Sequence, residues 1–199
     1  VSASPTGPMH EPLPPSLVDV LIEDEYIDDV AALPAVEIPE WLKRLGVPRG
    51  WELSPPADGT SAPWALVAVT GPRGSGEWDA AETISVFGYT GRPLFSDVFH
   101  NADRMLRGMN ASDIAVKVLP IPPVQWTAAV RSSGIAHVRD RSVWVQQSNY
   151  VAGSDQPHAG RLIVHSLFVE TASQARLSDD IREASDAVYE GFVAGLADT

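Results

Sequence analysis

The stretch 126–139, WTAAVRSSGIAHVR, with 142–151, SVWVQQSNYV, and 161–170, RLIVHSLFVE, decides the fold of this chain. In the first run Trp126, Ala128, Val130, Ser132, Gly134, Ala136 and Val138 take alternate positions, and Arg131, His137 and Arg139 fall between them. A period of two sends one set to the core and the other to water, which is the pattern of a β-strand. The third run is apolar on both faces, with Leu162, Val164 and Phe168 set against Ile163, Leu167 and Val169, so it reads as a central, covered strand. Residues 178–196 then carry Ile181, Ala184, Val188, Phe192 and Leu196 at helical spacing behind Leu177. Asp179 and Asp180 suit the positive end of that helix. Successive strands closed by an amphipathic helix define an α+β class, with an antiparallel sheet and a helix laid across one face.

Outward from this block the chain keeps the same grammar. Residues 113–119 read as another strand, ended by Pro120, Pro122 and Pro123. Residues 96–107 read as one helix capped by Ser96, with Val98, Phe99, Ala102, Met105 and Leu106 on its buried face and Gly108 just past its end. Residues 64–70 and 82–90 are two strands joined by the glycine-rich loop 71–76. Residues 47–51 form a turn that delivers Trp51 to a first strand, after a single helical turn at 40–45. Ser16 caps a short helix expected to run to about residue 30, with Leu17, Val20, Leu21 and Ile27 as its apolar positions. Residues 1–15 hold five prolines and are expected to be disordered or extended. The chain thus divides into an acidic, proline-rich extension, 1–46, and a single α+β domain, 47–199. The domain is an antiparallel sheet of five to seven strands sandwiched by helices.

The chain has 199 residues, 26 acidic against 14 basic, for a formal net charge of −12. That balance excludes nucleic acid and anionic membrane surfaces, whose phosphates need clustered Lys and Arg. There is no cysteine, hence no disulfide, thiol nucleophile or lipid attachment through sulfur. No apolar run is long enough to span a bilayer. Residues 1–15 lack the basic and apolar regions of a secretion leader, so the chain as written is expected to be cytoplasmic; a secreted form from which a leader has been cleaved fits the same sequence. Lys43 and Lys117 are the only lysines, an arginine bias that suggests a GC-rich bacterial source.

No catalytic, cofactor-binding or metal constellation stands out in the sequence. The loop 71–76 follows a strand, but Glu77 and Trp78 stand where a phosphate loop needs Lys and Ser or Thr. His100 and Asp103 lie three apart on a helix, too few for a zinc site. His165 alternates with apolar neighbours and reads as a hydrogen-bonded, partly buried residue. With His100 and His137 it completes the set of plausible bases. No Gly-x-Ser-x-Gly elbow exists. An enzyme is therefore not expected, and no cofactor is implied. Two features suggest binding instead. Glu23, Asp24, Glu25, Asp28 and Asp29 form an acidic surface for a protein partner, a second copy of the chain included. Trp126, Trp144 and Tyr150 are candidates to line a groove for an apolar small molecule or lipid.

The lead-in 47–51, two strands, the helix over 93–107, the meander with Gly134 and Tyr150 and the closing helix with Asp179, Asp180 and Ile181 resemble a PsbP-like α/β/α sandwich. Within it, the order of elements is similar to the actinobacterial LpqN/LpqT family of envelope lipoproteins, over residues 47–196. That resemblance implies a non-enzymatic accessory or protein-binding module linked to cell-envelope processes, with no catalytic motif to carry over. As written, the chain shows neither the family's lipid-attachment cysteine nor its leader, so the expectation of an envelope location does not follow from these residues. The alternative is a carrier or sensor of an apolar ligand.

Overall fold

The computed structural model describes residues 15–54, 65–71 and 78–197. Eight antiparallel strands form one sheet in the order β2 (Glu52–Ser54), β3 (Ala65–Thr70), β4 (Ala80–Gly91), β8 (Gly160–Glu170), β7 (Arg141–Ala152), β6 (Thr127–Val138), β5 (Ser112–Val118). The eighth, β1 (Ile27–Ala32), pairs with the far half of β4. The apolar run of β8 lies between β4 and β7, the covered central place its two apolar faces require. On one face lies α5 (Ser178–Ala197), with Val188 and Phe192 packed on Ile84, Val86, Tyr150 and Ile163. On the other lie α1 (Leu17–Glu23), α3 (Phe95–His100) and α4 (Arg104–Gly108), burying Leu17, Leu21, Val98 and Leu106 against Tyr89, Val130, Leu162 and Val145. The sandwich of helices about an antiparallel sheet is the α+β class expected.

Four details differ from the sequence reading. The helix capped by Ser16 ends at Glu23, because Asp24 is extended and its carboxylate accepts the Tyr26 N–H at 2.9 Å, turning the chain into β1. Gly91, at φ +122°, makes that entry possible: a Cβ there would lie 2.2 Å from the Tyr26 carbonyl oxygen. The helix read over 96–107 is two, α3 and α4. The Asn101 side chain donates to the Asp97 carbonyl at 2.8 Å and closes the first, and Leu94, not Ser96, sits at its N-cap. The sheet has eight strands rather than five to seven because β1, read from sequence as part of a helix, joins it. The fourth concerns the boundary at 47, which does not divide the core. Leu17, Leu21, Ile27, Leu33, Ile38 and Leu42 are all buried, and Trp41 of α2 (Glu40–Lys43) packs on α5 at Gly191 and Gly195. Trp51 is fastened at the other end of that helix, its indole N–H donating to Asp180 at 3.1 Å. The expectations for residues 1–14, for Trp64 and for most of the loop 71–76 lie outside the described residues.

Candidate functional site

The polar residues inside the sandwich are structural clips. His165 is fully buried and its Nε2 lies 2.9 Å from Glu82 Oε1. Nearby Gln146 donates to Ser185 of α5 at 2.8 Å, and Arg131 Nε donates to Ser148 at 2.8 Å. The Gln146–Ser185 bond ties α5 to the sheet, and the other two link neighbouring strands, β8 to β4 and β6 to β7. His137 and His100 are exposed on separate elements. Among the described residues no group of three His, Cys, Asp or Glu could hold a metal ion, and no helix is long and apolar enough to cross a membrane.

Trp126, Trp144 and Tyr150 do not line one groove. Trp144 and Tyr150 occupy even positions of β7 and face α5. Trp144 packs half-buried with Trp51 and Leu167. Tyr150 is fully buried against Phe192 at 5.2 Å between ring centroids, and burial raises its hydroxyl pKa. Trp126 stands at the start of β6 on the opposite side.

What gathers around Trp126 is an exposed apolar strip. Trp126 is 46% exposed, Leu94 50%, Phe95 49% and Tyr26 66%. Leu94, Phe95 and Trp126 enclose a hollow of about 170 Å³ floored by Val98, Ala128 and Val151. Tyr26 and Leu94 border a second hollow, rimmed by Glu23, Asp24, Glu25 and Asp97. Trp126 is held at φ +61°, sparsely populated for a bulky residue. Its carbonyl accepts the Gly153 N–H at 2.8 Å, and the Arg92 guanidinium lies 4.7 Å above its ring. Arg92 is itself ion-paired with Asp155, and Arg104 with Glu23 at 3.5 Å. Among the described residues Asp24, Glu25 and Asp97 make no ion pair, so the margin of the strip is net negative. Three of the five acidic residues singled out by sequence thus meet the strip. Asp28 and Asp29 lie further along β1, with Asp29 4.0 Å from His158 Nε2. Sequence reasoning missed Tyr26, Arg92, Leu94 and Phe95. Two large apolar residues just before Ser96, outside the stripe read for the helix, were the available signal.

Two larger cavities lie elsewhere. One, of about 550 Å³, opens beside the C-terminal half of α5 between Trp41, Ile163, Phe192 and Leu196, with Gln125 and Arg161 at its edge. The other, about 520 Å³, is the gap between α1 and α4. Its floor carries the hydroxyls of Thr83, Ser85 and Ser166, and Met105 and Met109 form one wall.

No protein-family model matches the chain, and no curated protein matches it by sequence. Among solved structures it is similar to LpqN of Mycobacterium tuberculosis, which is involved in cell envelope biogenesis. The TM-score is 0.62 at 16% identity, covering 90% of this chain and 96% of that one. This likeness shows an LpqN-like fold. It covers more of the chain than residues 47–199 could supply, so it includes part of the segment that sequence reading had set outside.

Proposed function

We propose that this chain is a non-enzymatic binding module whose protein partner seats on the Tyr26–Leu94–Phe95–Trp126 strip, in a role linked to the cell envelope. One observation carries the reading: a half-exposed Trp, Phe and Leu held around one hollow with a cation over the Trp ring, whereas the other aromatic side chains among the described residues, Tyr26 of the strip apart, are buried or partly buried. Exposed aromatic anchors of this kind concentrate binding energy, each worth about 2 kcal/mol or more when buried by a partner. An interface of ordinary size needs roughly 800 Å² a side, so the strip is its centre rather than its whole extent. The margin of Glu23, Asp24, Glu25 and Asp97 selects a partner with basic residues around an apolar patch, and favours its approach electrostatically. The envelope link is supported by fold likeness to LpqN.

The test compares capture of envelope-fraction proteins from the source cells on immobilised full chain. The double variant Trp126→Ala/Phe95→Ala is set beside Leu53→Ala, a change at another exposed apolar residue. Quantitative mass spectrometry should find the same proteins on the wild type and on Leu53→Ala. They should fall about tenfold or more on the double variant, and raised salt should reduce capture on the wild type. Equal capture by all three removes the strip as the docking surface.

A further inference from the structure

We infer that the cavity beside the C-terminal half of α5 binds a single-chain amphiphile with a carboxylate head, its chain against Trp41, Ile163, Phe192 and Leu196 and its head on Arg161. The volume, about 550 Å³, is that of a small-molecule site. Charge decides the class of ligand. In a chain of net charge −12, no acidic side chain among the described residues lines this cavity, and among them Arg161 is the one charged residue in its wall. The gap between α1 and α4 is the reverse, with Asp19 in its lining and no cation.

Arg161 is set for an incoming anion. Its Nη1 donates to the carbonyls of His158 and, at 2.8 Å, of Gly160, which fixes the guanidinium at the end of β8. Among the described residues no carboxylate pairs with it. A guanidinium has five N–H donors in a planar fork, so a carboxylate can take the donors that Nη1 leaves over. One cation balances a monoanion, and the apolar walls accept an alkyl chain. The site does not depend on the protein-docking reading, because none of its wall residues belongs to the strip.

The test uses the full chain and three ten-carbon probes below their aggregation limits: decanoate, methyl decanoate and decyltrimethylammonium. Calorimetry or native mass spectrometry should show one decanoate per chain, bound at least about tenfold more tightly than the ester or the cation. Arg161→Gln should abolish that preference and Arg161→Lys should retain part of it. Ala159→Trp, which fills the cavity from its exposed loop side, should block binding. The comparison of probes on the wild-type chain needs no variant, so loss of fold in a mutant cannot shield the proposal. Equal binding of acid and ester, no binding of decanoate, or undiminished binding to Ala159→Trp would each overturn it.

Discussion

Gly191 is where α2 meets α5, and it leaves no space. A Cβ at this position would lie 2.3 Å from Cε3 and 2.5 Å from Cζ3 of Trp41. In an exposed helix a Gly to Ala change stabilises by about 1 kcal/mol. Here the clash is with the Trp41 ring packed on the helix, and overpacking of that kind costs about 1–3 kcal/mol. Gly191→Ala should therefore lower the melting temperature, and a rise would show that Trp41 swings aside freely. The tyrosines give a second residue-scale result. Tyr89 and Tyr150 are fully buried, and burial pushes both hydroxyls above their ordinary pKa; Tyr89 donates to the Ala152 carbonyl at 2.9 Å. The unfolded chain releases these protons near pH 10 and the folded one holds them. Their contribution to stability is thus complete below about pH 10 and is lost as pH rises through the folded values. Tyrosinate absorbance should show two of the four tyrosines ionising only with unfolding. Ionisation of all four in a chain with native circular dichroism would contradict this. His165 was legible at this scale, since a histidine between apolar neighbours on a covered strand has to find a partner. Trp126 was not. Its place in the alternation suggested a strand interior, whereas its positive φ sets it in the turn before β6 and leaves it exposed.

At the scale of elements, legibility followed the burial pattern. Strands β6, β7 and β8 were read within two residues of their bounds because alternation and apolar runs are local signals. Segment 27–32 failed because Asp28, Asp29 and two alanines carry no strand pattern of their own. Its conformation is imposed by β4, with a register shift after Asp28 that Asp29 absorbs at φ +57°. The break between α3 and α4 was invisible for the opposite reason, since Val98, Ala102 and Leu106 stay on one buried face across it. The N-terminal segment is the consequential case. Leu17, Leu21 and Ile27 fill one core while Leu33, Ile38 and Leu42 fill another, and side chains of this size contribute about 1.5–3 kcal/mol each on burial. Against a typical total stability of about 5–15 kcal/mol, that is decisive. A chain lacking residues 1–46 should lose cooperative thermal unfolding and expose apolar surface. A sharp transition by circular dichroism would instead make the segment an appendage.

Across the whole molecule, the docking strip and the Arg161 cavity are contributed by segments far apart in the chain. Tyr26, Leu94 and Trp126 meet only because α3 packs against β6 and β1 returns to β4. No local pattern encodes that meeting, which is why acidic Glu23, Asp24 and Glu25 were recognisable as a surface while the apolar strip beside them was not. The double use of β4 has one more consequence, for the order in which the chain assembles. Its first half pairs with β3, Thr70 opposite Ala80, across a short connection. Its second half waits for β1, Ala32 opposite Phe87, across the whole intervening chain. Closing the second loop costs more chain entropy than closing the first, and non-local pairings of this kind slow folding. A single strand is therefore completed by two events of different reach, a nearby hairpin and a distant homecoming of the N-terminal segment, and the aromatic strip exists as a surface only after the second.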